Sequence, residues 1–469
     1  MGKFVEEIRE LDVEKIVQGG MGLAQSDGKT FFIYGAIGGE RVRARIYKKR
    51  KGVYFGEVVE VIKPAPERIE PRCPFFGECG GCTFQHIPYE HQLRIKEEIV
   101  RETLERLGKF EGFEFLPIVP SPLEWEYRNK MEFAFGADEE GRVYLGLHRR
   151  GRFDILLPVA KSCLLVSEEF RRVVEAIESM AQGEAPYDPV RGTGYLRFLT
   201  IRKSFYQNKL LLGITVTQEV SPEIFKFWFE EIDRRFPELV AGGYMVVNPG
   251  GSSSQGEVKP LFGQTEFVEA IGDKKFYVSA NSFFQTNPLG AEKLYSVAME
   301  FAEFSGTETV WDLYCGTGTV GIFMWDRIRT LVGIELIPEA VEDARRNAEL
   351  NGVPVVEPEM CEKTNYSVEG ACFVEGDVAK VLRQFAEQGV KSPDIVLIDP
   401  PRPGLSKKAV AKITKFSPTK IVYISCNPAT MARDGAMFAE NGYKLVRVRP
   451  VDMFPQTYHI ESVALFVKE

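Results

Sequence analysis

The sequence lacks a membrane segment, a leader pattern and a disulfide framework. Its 469 residues contain no run of about 18 apolar residues, the length that a membrane-spanning helix needs. Residues 1–14 are acidic and lack the apolar core of a signal peptide. Eight cysteines are too few to serve as a disulfide scaffold in so long a chain. We therefore expect a cytoplasmic protein that has no membrane partner.

An overall excess of positive charge is also absent. The net charge of −8 argues against a protein that coats nucleic acid without selectivity. Residues 1–66 differ from the rest, because 12 basic and 9 acidic side chains give them a charge of +3. Seven of the basic residues lie between Arg41 and Lys51. This run favours a selective contact with nucleic acid, although a solvated face is the simpler interpretation.

The pattern of turns and apolar periods predicts a multidomain protein. Residues 1–63 read as short strands with glycine turns, which indicates a small OB-like β-barrel. Residues 64–277 mix strands and helices, which predicts an α+β domain. Its helix at 90–107 is a candidate to pack on the third domain, and its segment 250–255 predicts a mobile loop. Residues 278–469 alternate strands and helices, as in Rossmann-like α/β domains.

A glycine loop follows the first strand of the third domain. Gly316, Gly318 and Gly321 have the spacing of a nucleotide-binding turn, and Glu335 lies where an acid meets ribose hydroxyls. This pattern suits NAD and S-adenosylmethionine equally. The turn Asp399-Pro400-Pro401 after a later strand favours the methyl donor, and an arginine after it disfavours methylation of adenine N6.

Cys426 follows another apolar strand and precedes a helix start. A lone cysteine is most simply a small buried hydrophobe, but this position faces the ligand edge of an α/β sheet. We expect the helix N-terminus to stabilise a thiolate there, as nucleophilic catalysis requires. Glu461 is the candidate proton acceptor, and His459 is the alternative.

Half of the cysteines form a metal-site pattern. Three lie in a glycine-rich loop with the spacing Cys-x5-Cys-x2-Cys, and the fourth follows 81 residues later: Cys73, Cys79, Cys82 and Cys163. This spacing allows zinc or an iron–sulfur cluster. Besides Cys426, the remaining cysteines have no such grouping and are predicted to be simple buried or surface thiols: Cys315, Cys361 and Cys372.

Four segments, taken in order, resemble the RNA uracil-5-methyltransferases. They are the sequences at 312–318, 399–402, 425–428 and 459–461. The resemblance covers nearly the full chain, and residues 1–63 look like a TRAM domain. It implies S-adenosylmethionine as methyl donor, Cys426 as nucleophile and Glu461 as base. It also implies a [4Fe–4S] cluster on the four grouped cysteines. The implied cofactor site comprises Gln285, Tyr314, Gly316, Gly318, Glu335 and Asp399.

This chemistry explains why a thiol and a carboxylate are needed. Uracil C5 is a poor nucleophile until a thiolate adds to C6, and the C5 proton must later leave to a base. The expected partner is structured RNA, with a uridine of 23S rRNA favoured and the T-loop uridine of tRNA as alternative. A dehydrogenase would explain the glycines but not the thiol, and a noncatalytic RNA-binding iron–sulfur protein would explain the N-terminal half alone. We expect a monomer.

Overall fold

A computed structural model describes residues 3–249 and 253–469. Residues 250–252 of the predicted mobile loop, and residues 1–2, lie outside these ranges. The first five strands form a closed barrel in the order β1-β2-β3-β5-β4, so the predicted N-terminal barrel is confirmed. They are β1 (Lys3–Val17), β2 (Met21–Ser26), β3 (Lys29–Tyr34), β4 (Arg41–Arg50) and β5 (Val53–Lys63). No helix in the described ranges combines the length and the apolar character that a bilayer crossing requires.

The basic strand β4 alternates between the barrel core and solvent, as its period of two predicts. Its arginines face carboxylates of neighbouring strands. Arg43 contacts Glu10 at 3.1 Å and also contacts Glu60, while Arg45 pairs with Glu57. The positive charge that the sequence concentrates here is therefore largely neutralised on the arginine face.

The middle of the chain forms a mixed sheet with two helices on it. After α1 (Tyr89–Arg106) and β6 (Glu114–Phe115), the elements are β7 (Lys130–Ala137), β8 (Val143–Arg149), β9 (Arg152–Leu157), α2 (Glu168–Met180), β10 (Leu196–Ser204), β11 (Lys209–Val216), α3 (Glu223–Arg235), β12 (Val240–Val247) and β13 (Glu257–Gly263). The sheet order is β13-β12-β11-β10-β7-β8-β9. β11 and β12 run parallel, and the other neighbours run antiparallel. The apolar faces of α2 and α3 share one core with this sheet.

A two-stranded hairpin leads into the third sheet. The elements are β14 (Glu266–Ile271), β15 (Lys274–Ser279), α4 (Pro288–Ala302), β16 (Thr309–Leu313), α5 (Thr319–Phe323), β17 (Thr330–Glu335), α6 (Pro338–Leu350), α7 (Pro358–Lys363), β18 (Gly370–Glu375), α8 (Val378–Gln388), β19 (Ile395–Ile398), α9 (Lys407–Phe416), β20 (Lys420–Ser425), α10 (Pro428–Ala439), β21 (Tyr443–Val451) and β22 (Glu461–Lys468). The sheet order is β18-β17-β16-β19-β20-β22-β21-β6. Strands β16 to β20 run parallel to one another, and β22 runs antiparallel to both of its neighbours, β20 and β21. The predicted Rossmann-like domain is confirmed.

Two elements from the middle of the chain join this third sheet. β6 pairs with its edge strand β21, and α1 packs against α10 through an apolar face. The same helix places Lys96 Nζ 2.7 Å from Asp452 Oδ1, and both side chains are fully buried. A buried pair of this kind fixes α1 to the segment between β21 and β22, because separating it would leave an uncompensated charge. The boundaries at 63/64 and 277/278 stay predictions.

One cysteine prediction is wrong. Cys361 on α7 and Cys372 on β18 form a disulfide rather than standing as separate thiols. Both are fully buried, and α7 packs on β18. The sequence offers no signal for this pairing, since the two cysteines lie 11 positions apart in no recognised pattern. Cys315 is a free, buried thiol.

Candidate active site

Three parallel strands end together at one edge of the third sheet. β16, β19 and β20 are neighbours, with Leu313 opposite Ile398 and Ile398 opposite Tyr423. The residues that follow these strands therefore lie side by side at the carboxyl edge, where open α/β sheets bind ligands. They comprise the glycine loop at 314–318, Asp399 and Cys426.

Strand β22 brings Glu461 to Cys426. β20 and β22 run antiparallel, and Ser425 pairs with Ser462. The next position of this register sets Cys426 opposite Glu461, because antiparallel strands advance in opposite directions. Residues so placed have Cβ atoms about 5 Å apart. Folding therefore joins a thiol and a carboxyl at the ligand edge.

The surroundings of Cys426 keep its thiol protonated. Burial raises the pKa of Cys426 to about 11, and the nearby carboxyls of Glu461 and Asp399 add to the shift. The Arg402 guanidinium opposes it. The sequence predicted a thiolate stabilised by the start of α10, and for the free enzyme this prediction is wrong. Two acidic neighbours and desolvation outweigh the weak field of a helix end.

The carboxyl groups of this site are also protonated more readily than usual. Glu461 is almost fully buried, and burial together with Asp399 raises its pKa well above the ordinary range, while Arg402 lowers it. Burial raises the pKa of Asp399 to about 7. Perturbed acids gathered in one cleft are typical of catalytic sites. The site therefore places a thiol beside two carboxyls whose pKa values are raised toward or beyond the neutral range.

His459 is a poor alternative base. Burial, together with the cations Arg402, Lys96 and Arg128, lowers its pKa to about 4. Its ring lies 4.3 Å from the ring of Tyr458, centroid to centroid. A neutral imidazole with so low a pKa accepts protons weakly, so this environment favours Glu461 as the base.

The glycine loop has the backbone of a nucleotide-binding turn. Tyr314, Gly316 and Gly318 all have positive φ, at 64°, 54° and 79°. A Cβ at Gly316 would meet no atom within 4 Å, so the loop is open on that side. Glu335 ends β17, and its carboxylate accepts a hydrogen bond from Gly316 N at 3.1 Å. An open loop beside a carboxylate fits a nucleoside whose ribose hydroxyls meet the acid.

The central sheet supplies a support that the sequence analysis missed. Gln285 lies half-buried before α4, and its side chain hydrogen-bonds to the Tyr295 hydroxyl. The main-chain carbonyl oxygen of Gln285 accepts a hydrogen bond from Asn129 Nδ2 at 3.1 Å. Arg202 donates to the carbonyl oxygen of Ser282 at 2.8 Å. Asn129, directly before β7, and Arg202 on β10 thereby hold the loop that carries Gln285, a contact that no local pattern reveals.

The four grouped cysteines come together without forming a single-ion site. Burial raises the pKa of Cys82 to about 12 and that of Cys79 to about 11, and the thiols of Cys73 and Cys163 add to both shifts. The fourth cysteine, distant in sequence, therefore lies near the loop. Among the described residues, however, no three His, Cys, Asp or Glu side chains are arranged to hold a metal ion. The structure gathers these thiols but does not show a metal centre.

The segment that follows the cysteine loop is hydrogen-bonded to the chain just before the predicted base, Glu461. Thr83 N and Phe84 N both donate to the carbonyl oxygen of Gln456, at 2.9 and 3.0 Å. The buried Gln92 side chain accepts from Gln456 N at 3.0 Å. Gln456 lies five residues before Glu461. Sequence reasoning missed these residues because each is an ordinary polar residue far from its partner along the chain.

The N-terminal barrel also reaches the site. Gln18, in the turn between β1 and β2, donates from Nε2 to Asn427 Oδ1 at 2.7 Å. Gly20 in the same turn has φ +75°, and a Cβ there would lie 2.8 Å from Cβ of Tyr458. The glycine pair in the sequence indicates a tight turn. Nothing in the sequence indicates that Gln18 contacts Asn427, which lies 409 positions later.

Comparisons with known proteins agree with this arrangement. Residues 261–469 match the family described as tRNA (uracil-5-)-methyltransferase. A protein named as an uncharacterized RNA methyltransferase of Caldanaerobacter subterraneus subsp. tengcongensis is 41% identical, over 98% of this chain and 99% of its own. Another with that description, from Clostridium tetani, is 38% identical over 97% of this chain and 96% of its own.

A solved structure is similar over the whole length. It is the tRNA (uracil-54, C5)-methyltransferase of Pyrococcus abyssi in complex with S-adenosyl-L-homocysteine. The two chains are 25% identical with a TM-score of 0.75, and the match covers 98% of this chain and 99% of the other. Barrel, central sheet and α/β domain are thus shared. On these similarities, the chain is an enzyme that belongs to the RNA (uracil-5-)-methyltransferase family.

Proposed function

We propose that this enzyme methylates C5 of a uridine in structured RNA through a covalent bond between Cys426 and C6. The observation that carries the proposal is the register of β20 and β22, which sets Cys426 opposite Glu461 at the ligand edge. Glu461 raises the pKa of Cys426, and Arg402 lowers the pKa values of both groups, which supports their proximity. A nucleophile beside a base is what C5 methylation of uracil requires.

Each residue has a defined task in this reaction. Cys426 loses its proton to solvent water, its Sγ bonds to C6, and the electron pair of the C5–C6 double bond becomes available at C5. After methyl transfer, ionised Glu461 removes the C5 proton. The electrons of that C–H bond restore the double bond, the C6–S bond breaks, and Cys426 leaves as thiolate. Arg402 favours the ionised forms of both residues.

S-adenosylmethionine, when bound, supplies the methyl group. The residues of the glycine loop fit it, because the loop is open at Gly316 and Glu335 stands beside it. We propose that Glu335 binds the ribose hydroxyls and that Tyr314, Gln285 and Asp399 line the rest of the pocket. The bound S-adenosyl-L-homocysteine in the similar Pyrococcus structure supports this donor.

The choice of RNA has two candidates. A uridine of 23S rRNA is the prediction from the sequence. The T-loop uridine of tRNA has a specific observation in its favour, since the Pyrococcus enzyme that is similar over the whole chain acts on uracil 54 of tRNA. In both cases the uracil must be unstacked before Cys426 can reach C6.

Methylation of purified transcripts separates the candidates. The enzyme would be incubated with labelled S-adenosylmethionine and either an unmodified tRNA or 23S rRNA fragments. Mass mapping of the product then locates 5-methyluridine. Label in tRNA at the T-loop alone would exclude the ribosomal candidate, and label in 23S rRNA alone would exclude the tRNA candidate. Label in neither RNA would contradict the proposed function.

We also propose that the four grouped cysteines hold a [4Fe–4S] cluster. Tetrahedral zinc with bonds of about 2.3 Å needs sulfurs about 3.8 Å apart, whereas a cubane binds each cysteine through a different iron and spaces them more widely. Thiols that raise one another's pKa values without forming a single-ion group fit the wider arrangement better. The brace from Thr83 and Phe84 to Gln456 supports a structural role for the loop.

A further inference from the structure

Asn427 follows the nucleophile directly, and its side-chain amide has a fixed orientation. Its Oδ1 accepts a hydrogen bond from Ala429 N at 3.1 Å, which caps the start of α10. The same oxygen accepts from Gln18 Nε2 at 2.7 Å. A backbone N–H can only donate, so the acceptor atom of Asn427 must be the one facing α10. Its Nδ2 group must therefore point away from both partners.

This Nδ2 group is available to a ligand. Within the described part of the chain, no hydrogen bond from Asn427 Nδ2 is present, and the atom is not among the buried unpaired ones. The residue is half-buried, like Cys426 before it. Two N–H donors thus remain uncommitted one residue from the nucleophilic sulfur. Unused donors in a buried catalytic edge are most useful where negative charge develops.

We propose that Asn427 donates a hydrogen bond to O4 of the target uracil, and that Gln18 of the barrel is the positioning residue that keeps Asn427 oriented for this. The inference rests on the proposed function, because it takes Cys426 as the nucleophile. Addition of the thiolate to C6 moves negative charge through C5 to O4, so a donor at O4 stabilises the enolate more than the free base. The barrel then contributes to catalysis as well as to RNA contact.

The same orientation discriminates between pyrimidines. Uracil presents the acceptor O4 where cytosine presents the donor N4–H₂. An amide that is forced to present donors would pair with uracil and leave cytosine with two opposed donors, which costs more than a missing hydrogen bond. The Ala429 N–H enforces this selection, because rotation of the Asn427 amide by half a turn would set two donors against each other, and Gln18 donates a second hydrogen bond to the same oxygen.

The test uses single-turnover methylation of the RNA that the wild-type enzyme modifies. Asn427→Ser keeps an oxygen that can cap α10 but removes both amide N–H donors, and the single hydroxyl that replaces them lies on a side chain one bond shorter. We expect its methylation rate to fall on the order of 10²-fold, the loss typical of one enolate- or oxyanion-stabilising donor. Dissociation constants for RNA and for S-adenosylmethionine should change little, and the melting temperature should stay near that of the wild type. The loss should therefore appear in kcat rather than in KM.

A matched substrate change identifies the atom involved. RNA carrying 4-thiouridine at the target position replaces O4 by a weaker acceptor. Wild type should lose rate on this substrate, whereas Asn427→Ser should lose little more, because the two changes remove the same contact. Equal fractional losses in both enzymes would overturn the assignment to O4. A rate for Asn427→Ser within about threefold of the wild type would overturn the role of Asn427 altogether, a difference too small for a lost donor.

Gln18→Ala tests the contribution of the barrel. Gln18 is exposed, so its removal should leave stability unchanged. We expect a loss in kcat smaller than that of Asn427→Ser, with Gln18→Glu worse because its carboxylate repels Asn427 Oδ1. The control is Gln25→Ala, which removes another exposed glutamine of the same barrel. Equal rates for Gln18→Ala, Gln18→Glu and Gln25→Ala would refute the positioning role. Failure of the proposed function is a separate result, seen as methylation by Cys426→Ala.

Discussion

Cysteines serve two different sites in this protein, and their neighbours distinguish them. At the ligand edge, the pKa of Cys426 is raised to about 11 by burial and by two carboxyl groups. In the loop near the barrel, burial and the other grouped thiols raise the pKa of Cys82 to about 12. Cys426 has carboxyls and Arg402 rather than other thiols around it, so it can ionise alone and attack an electrophile. Thiols facing one another can ionise together only if a shared cation compensates their charges.

The two sites also differ in how the chain assembles them. Cys426 and Glu461 meet through the register of two adjacent strands. The grouped thiols meet because Cys163, which lies 81 residues beyond Cys82, returns to the loop. Backbone contacts then join the loop to Gln456, so the second site supports the first. Substitutions at each site should therefore have separate signatures.

The largest effect should come from removing the nucleophile. Cys426→Ala should reduce methylation on the order of 10⁴-fold or more, because no other step can activate C5. It should also fail to form a protein–RNA adduct on denaturing gels when the target uridine carries fluorine at C5. The matched control is Cys315→Ala, which removes a buried free thiol of the same edge. Adduct formation by Cys426→Ala, together with its loss in Cys315→Ala, would transfer the role of nucleophile to Cys315.

The second effect concerns the base. Glu461→Gln should transfer the methyl group and then stall, since the C5 proton has no acceptor and the C6–S bond cannot break. A covalent protein–RNA species should therefore accumulate with unmodified RNA and survive denaturing electrophoresis. Turnover without any accumulated adduct would show that another group removes the proton.

The pH profile of adduct formation by Glu461→Gln should shift in a direction that shows whether Glu461 acts on the Cys426 thiol. Adduct formation on fluorinated RNA requires thiolate, so its rate in wild type should rise with pH toward the pKa of Cys426, about 11. The carboxyl of Glu461 raises that pKa. Its replacement by a neutral amide should lower the pKa, so Glu461→Gln should reach a given adduct rate at lower pH. An unchanged or upward-shifted profile would contradict the contact between the two groups.

The sequence predicted the elements of the catalytic edge well because its signals are local. A glycine turn, Asp399 and Cys426 each follow a strand directly, as the apolar runs before them predict. It did not predict Gln18 at Asn427 or the disulfide at Cys361, since these contacts arise when separate elements pack. The expected thiolate failed for a related reason: burial, together with two carboxyls that follow or begin other strands, raises its pKa.

Replacing one of the four grouped cysteines should reduce the iron content of the protein more directly than its methylation rate. Anaerobically prepared protein should carry about four irons per chain, the content of a Cys₄-ligated cubane. Cys163→Ser should lose this iron, although the residue lies far from the loop in sequence, whereas Cys426→Ala should retain it. Because the loop braces Gln456, the variant should also be less stable to heat. Zinc in place of iron, in protein never exposed to oxygen, would refute the cluster.

The smallest effect should separate two kinds of basic residue on β4. Arg43 and Arg45 are already paired with glutamates. Lys48 and Arg50 are exposed, and the described residues offer them no carboxylate contact within 4.0 Å. Glutamine at both of these positions should weaken RNA binding and reduce the slope of log K against log salt by about 1–2, the value for one or two lost phosphate contacts.

The matched control is the variant with glutamine at both 43 and 45. It should change the slope less, because in the wild type these two arginines must leave their glutamates before they can contact phosphate. Methylation of a minimal stem-loop at saturating concentration should persist in both. An equal change in slope would mean that the ion pairs open at no cost, and no change in either variant would mean that β4 is a solvated face without an RNA contact.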